Sequence, residues 1–183
     1  MATMLTHRFT VSDYFRMAES GILPGDGRVE LIDGEIVDMS PIGPFHSGAL
    51  IDFVEHFAAI SAGRWRLLTQ SPLSLSPFDM PEPDVALLRP SDHGYKKAHP
   101  VAADVFLLIE VADSSLSYDQ SVKLPLYANH GIPEVWILNV PQRQLEVYRL
   151  PASGRYEEKT VFKSGTVAPV AFPDAGIEVG ELI

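Results

Sequence analysis

The feature that most constrains this chain is the run Val105-Phe-Leu-Leu-Ile-Glu-Val111, apolar throughout except for Glu110 near its end. A continuous β-prone run of this kind reads as a strand buried on both faces rather than one alternating between core and water. A strand covered on both sides belongs to a sheet with other layers packed against it. The carboxylate that closes the run is costly to desolvate unless it is paired or bound to a cation, so it is the first candidate for a functional role.

The flanking sequence supplies the other layers. Thr10 followed three residues later by Asp13 reads as a variant capping box, and Val11, Tyr14, Phe15 and Ala18 recur at helical spacing up to Gly21. Asp33-Gly34 between the β-prone runs 29–32 and 35–39 predicts a hairpin. Residues 41–44 read as a loop, and residues 46–61 as a helix with Leu50, Ile51, Val54, Phe57 and Ala58 on one face. Strands are expected over 65–69, 73–75, 84–88, 134–140, 144–150 and 156–162. A helix is expected over 118–129, ended by Gly131, with Pro125 inside it as a local conflict. The order predicts a mixed sheet flanked by helices, α/β or α+β, in one domain spanning residues 1–183.

Composition narrows the function. No apolar run approaches the ~20 residues of a membrane span, and residues 1–10 lack the pattern of a secretory signal. The absence of cysteine excludes disulfides and thiolate metal sites and fits a cytoplasmic address. The six histidines show no zinc-site spacing, and neither a glycine-rich phosphate loop nor a Gly-x-Ser-x-Gly elbow is present. A formal charge of −10 is awkward for a protein that binds duplex DNA, whose affinity rests on phosphate neutralisation. Arg64 with Arg66 and Lys96 with Lys97 offer only a small basic rim, and as pairs they read as solvated surface charges.

Three polar residues stand out by context. Asp84 opens an apolar strand after a Pro-Glu-Pro turn, Glu110 closes the most apolar strand, and Lys123 lies one helical turn beyond Asp119. Two carboxylates from neighbouring strands can hold Mg²⁺, and a lysine beside them can orient a water. Each also has a plain structural reading. Asp84 would cap a turn, Glu110 would sit at an exposed strand end or pair with an arginine, and Lys123 would form an exposed i, i+4 pair with Asp119.

Beyond these residues, the chain resembles the PD-(D/E)XK nuclease superfamily and, within it, the Uma-type branch of small restriction-endonuclease-like proteins. The matching stretches are Glu30-Leu-Ile-Asp-Gly-Glu35, Met39-Ser-Pro41, His46, Pro81-Glu-Pro-Asp84, Leu108-Ile-Glu110-Val111 and Tyr118 through Trp136, the last being the most specific. The superfamily motif places lysine two residues after the acid, where this chain has Ala112. The resemblance instead implies a functional lysine on the following helix, at Lys123. It further implies Glu30 as an acidic member of the site, the Val111 carbonyl as a metal ligand beside Asp84 and Glu110, and Gln70 as a neighbour. His46 reads as a proton carrier or phosphate contact, or more simply as a cap of the helix that begins near it. Glu30 has a plain reading as a hairpin charge facing water.

The expectation that follows is a restriction-endonuclease-like fold carrying a Mg²⁺- or Mn²⁺-dependent endodeoxyribonuclease site, acting on DNA and working as a homodimer with one site per strand. Its main rival is a non-catalytic binding or interaction protein that kept the fold, favoured by the acidic surface and by Ala112. A third reading, a sugar or metabolite hydrolase using Glu30 and Glu110 as an acid/base pair, requires that no lysine lie between them.

Overall fold

A computed structural model describes residues 6–23 and 28–183. The first five residues, part of the segment read for a secretory signal, lie outside the described residues. No described helix is long and apolar enough to cross a membrane.

The apolar run forms β5 (Val105–Ala112), near the middle of a six-stranded sheet. Its companions are β3 (Arg66–Thr69), β4 (Val85–Leu88), β6 (Glu134–Asn139), β7 (Gln144–Ala152) and β8 (Arg155–Phe162), in the order β3-β4-β5-β6-β7-β8. Every pairing is antiparallel except β5 with β6. That parallel pair needs a crossover, and the segment between the two strands supplies a helical one. It comprises α3 (Leu116–Tyr118), a π-helical turn (Asp119–Lys123) and α4 (Leu124–Asn129).

Side-chain alternation along β5 sorts its residues between two layers. Leu107, Ile109 and Val111 face the long helix α2 (Pro44–Ala59), packing with Phe53, Phe57, Trp65 and Trp136. Leu108 and Ala112 face the crossover, packing with Leu116, Leu124 and Tyr127. Glu110 shares their parity and therefore projects toward the crossover too.

The Asp-Gly pair makes the predicted hairpin between β1 (Val29–Ile32) and β2 (Glu35–Asp38). Asp33 and Gly34 have φ of 51° and 75°, the left-handed pair that a two-residue loop requires. A Cβ on Gly34 would also lie 2.6 Å from Arg8 Cβ, so the position needs glycine for space as well. The hairpin docks through a bridge between Leu31 and Met80 and through Asp79, which accepts the Asp33 N–H at 2.7 Å. Leu31 and Val29 pack on Tyr14 of α1 (Val11–Glu19), whose N-terminus carries the expected Thr10–Asp13 capping box. Glu30, of opposite parity, is left to face the sheet.

Three local expectations are corrected. Residues 73–75 form no ladder strand: Leu73 N–H bonds to Pro81 and Leu75 N–H to Asp79, and the prolines around them remove donors a ladder needs. The helix expected from residue 46 starts earlier, with Pro44 in the first turn and Gly43 as N-cap, so His46 lies inside it and caps nothing. The helix expected over 118–129 is interrupted. Pro125 has no N–H and its ring crowds the carbonyl of Ser121, and the chain meets this by widening into the π turn just before it.

The crossover is tied to the sheet at a second buried carboxylate. Glu146, on β7, accepts bonds from Gln120 of the π turn at 2.9 Å, from Asn139 at 2.7 Å, from Gln144 at 2.9 Å, and from Tyr148 and Lys159. Burial alone would raise its pKa, but Lys159, Tyr148 and the amides of Asn139 and Gln144 outweigh it and hold the carboxyl at about 2. Glu146→Ala leaves the buried Asn139 and Gln144 amides without their acceptor and should cost about 1–3 kcal/mol in urea denaturation. A loss below about 1 kcal/mol would show that the network does not hold the crossover down.

Candidate functional site

The hairpin, the segment leading into α2, and the crossover enclose a cleft of about 290 Å³. Its wall includes Glu30, His46, Asp84, Glu110 and Lys123, so five of the residues singled out in the sequence converge. Gln70 and Val111 join through Asp84 rather than through the cleft itself.

Lys123 occupies the centre of this arrangement. Its Nζ lies 3.2 Å from Glu30 Oε2 and 3.4 Å from Glu110 Oε1. Glu30, Glu110 and Lys123 are 2%, 3% and 4% exposed, so this is a buried bridge. The plain readings of Glu30 as a hairpin charge in water and of Lys123 as an exposed partner of Asp119 are both overturned. Burial alone would favour neutral lysine, but Glu110, Glu30, Asp119 and Asp84 together raise its pKa and keep it an ammonium.

Each carboxylate has further partners. Glu110 Oε1 accepts the Tyr127 hydroxyl at 2.6 Å, and Glu30 Oε2 accepts the Glu82 N–H at 3.2 Å. Asp84 Oδ2 accepts the Val111 N–H at 2.8 Å, and its Oδ1 lies 2.9 Å from His46 Nε2 and 3.4 Å from Gln70 Nε2. Burial pushes Asp84 up, but His46, the Val111 N–H and Lys123 outweigh it and keep the carboxyl below its ordinary value. Glu110 behaves oppositely: burial pushes it up to about 8, with Lys123 opposing and Asp119 and Asp84 adding to the rise.

The sequence reading missed Tyr127, Glu82 and Tyr118 as members of the site. Tyr127 was legible in principle, because it follows Lys123 by four residues on one helix and so shares its face. Glu82 gives its N–H to Glu30 and lines the cleft. Tyr118 lines the cleft with its hydroxyl buried and without a hydrogen-bond partner. Both lie in stretches that carry the family resemblance, but nothing in the sequence singles either out as a member of the site.

The geometry overturns the expected metal chemistry. Among the described residues no group of three or more His, Asp or Glu side chains is arranged to hold a metal ion. Of the ligands expected for Mg²⁺ or Mn²⁺, Asp84 and Glu110 line the cleft but have no third acidic or histidine ligand arranged with them, and Val111 is not part of the cleft wall. Asp84 is taken up by His46 and the Val111 amide, and Glu110 by Tyr127 and Lys123. The expectation of a magnesium-dependent endodeoxyribonuclease is therefore corrected, and with it the metal cofactor and the metal-binding assignment. The sugar-hydrolase reading fails its own condition, since Lys123 lies between Glu30 and Glu110.

Comparison with known proteins places these observations. The family model Uma2, described as "Putative restriction endonuclease", matches residues 11–180. Among curated proteins no sequence matches the chain. A solved structure with the same fold is the "putative nuclease belonging to DUF820 from Anabaena variabilis ATCC 29413", 16% identical, covering 95% of this chain and 97% of that one with a TM-score of 0.71. The mixed sheet flanked by helices is thus the restriction-endonuclease-like architecture that the sequence predicted.

The Glu110 pKa sets a pH dependence. Its native value lies above the ordinary 4.5, so the folded state binds this proton more tightly than the unfolded chain. The resulting stability is complete below pH 4.5 and is lost as pH rises through about 8. Chemical denaturation of wild type should show stability falling across that window, and Glu110→Gln should flatten the slope there. Identical slopes in the two proteins would contradict the assignment.

Proposed function

This chain belongs to the Uma2 family within the PD-(D/E)XK-like nuclease superfamily, and on that premise we propose that it is a non-catalytic binding protein that retains the nuclease fold. The observation that carries the reading is that the Lys123 ammonium is closed between Glu30 and Glu110, with no group of acidic or histidine side chains among the described residues arranged to hold a metal ion.

The cleft's charge says what it would receive. Beyond the bridge, its wall carries Asp38, Glu82 and Asp113, which form no ion pair among the described residues, against Arg28 at the rim. Asp38 and Asp113 are exposed and Glu82 is half-buried, so their field reaches incoming ligands. Such a mouth attracts a cationic group, for example an arginine or lysine side chain presented by a partner, and repels phosphate. A nuclease-like fold could also engage nucleic acid. In this reading DNA would contact the surface outside the cleft, a homodimer would place two such surfaces on one duplex, and the protein would act in the cytoplasm.

The test has two arms. Supercoiled plasmid incubated with Mg²⁺ or Mn²⁺ should stay intact with both wild type and Lys123→Ala. A fluorescent oligo-arginine peptide should bind with an affinity that falls as salt rises, and Glu82→Gln with Asp113→Asn should weaken it at least about fivefold. Plasmid nicking that disappears in Lys123→Ala, or peptide binding indifferent to the double variant, would contradict the proposal.

A further inference from the structure

The two walls of the cleft are held in different ways. One is the hairpin, which contributes Glu30, Val37 and Asp38; the other is the crossover, which contributes Ser115, Tyr118 and Lys123. Among the described residues, the one hydrogen bond or ion pair that joins hairpin to crossover runs from Lys123 Nζ to Glu30 Oε2. The hairpin's other ties concentrate on its turn. Asp33 gives its N–H to Asp79 Oδ1 at 2.7 Å and Gly34 gives its N–H to the Phe78 carbonyl at 2.8 Å. Their two carbonyls accept Arg8 Nε at 2.7 Å and the Phe9 N–H at 2.8 Å. The Arg8 guanidinium also pairs with the Asp33 carboxylate and lies over the Phe78 ring. A surface turn ordinarily leaves such groups to water, whereas here all four main-chain groups of the pair are gripped from outside the hairpin.

α1 and the hairpin form one body. Tyr14 gives its hydroxyl to the Val29 carbonyl at 3.0 Å, and Val11 at the start of α1 bonds the Pro77 carbonyl. Tyr14, Val29 and Leu31 make an apolar cluster with Met80 that shares no residue with the two clusters of the main sheet. Phe15 of α1 stacks on His99, and both rings are exposed.

We infer that α1 and the hairpin are a gate, hinged where the Asp33–Gly34 turn is gripped by residues 77–80, and that the Lys123–Glu30 contact is the latch holding it shut over the cleft. The inference rests on the proposed reading only in taking the cleft as the place a ligand enters. A unit with its own small apolar cluster and few ties elsewhere is the kind that opens before the whole chain unfolds. Opening breaks one ion pair. It leaves in place the turn contacts, the Leu31–Met80 bridge and the bond from the Glu82 N–H to Glu30. It also admits water to the Tyr118 hydroxyl, which is buried without a hydrogen-bond partner while the walls are together. The gate therefore governs how readily a ligand reaches the inner part of the cleft.

Because the chain has no cysteine, one introduced pair can carry two spin labels without ambiguity. Glu19→Cys lies at the end of α1 away from the hinge and Ser117→Cys on the crossover; both positions are exposed. Ser117→Cys with Glu157→Cys on β8 serves as the reference pair. Double electron–electron resonance on the full chain should give one narrow distance for each pair. Adding Glu30→Gln, which removes the charge that holds the latch, should give the gate pair a second, longer distance in at least about a tenth of the molecules. The reference pair should keep its single distance. If Glu30→Gln does not fold, the labelled chain with Glu30 intact decides: in rising urea the gate pair should lengthen before the reference pair and before the circular dichroism changes. The inference is overturned if the folded variant keeps one gate distance, if both pairs change alike, or if in urea both pairs change only at global unfolding. Neither readout uses peptide binding or DNA cleavage, so a failure here leaves the proposed function standing.

Discussion

The structure around the cleft depends on one buried cation. Lys123 holds Glu30 and Glu110 together at positions almost wholly removed from water. Neither glutamate could be ionised there alone, because the desolvation cost of an isolated buried carboxylate exceeds what neighbouring dipoles return. Nor could the lysine stay charged without them. The bridge therefore determines the position of the hairpin relative to the sheet, the protonation of Glu110, and what the cleft can accept. A buried bridge of this kind is weak evidence for stability in its own right, but removing one member leaves an uncompensated charge. It acts as a constraint on geometry.

The fold delivers the three members by simple means. Side-chain alternation turns Glu110 toward the crossover, with Leu108 and Ala112 on the same face. The parallel β5–β6 pair demands a crossover, and its π turn buries both Asp119 and Lys123. Gln120, between them, bonds Glu146 on β7 and pins the turn to the sheet. The position two residues after Glu110, where the superfamily motif has lysine, is Ala112, fully buried in the packing around Tyr127. A lysine supplied from the helix reaches the same face of the sheet from above.

Much of this was legible in the sequence, because local patterns wrote it. The apolar run gave β5, Asp33-Gly34 gave the hairpin turn, and Thr10 with Asp13 gave the start of α1. The site was legible as a set of residues but not as a state. Spacing placed Lys123 one turn beyond Asp119 and suggested an exposed pair, whereas tertiary packing buried both. Pro125 signalled a conflict whose resolution as a widened turn is a property of the whole crossover. His46 reads from the sequence as a proton carrier, a phosphate contact or a helix cap, and its bond to Asp84 spans two elements far apart in the chain. The metal expectation failed for the same reason: carboxylate identities are written in the sequence, but which partner neutralises them is settled only by packing.

The most direct measurement is a crystal structure of the wild-type protein soaked in Mn²⁺, with anomalous scattering used to locate the ion. The account predicts no anomalous peak between Glu30 and Glu110, and Lys123 Nζ still within hydrogen-bond distance of both. A manganese peak bridging those carboxylates, with Lys123 displaced from between them, would contradict it.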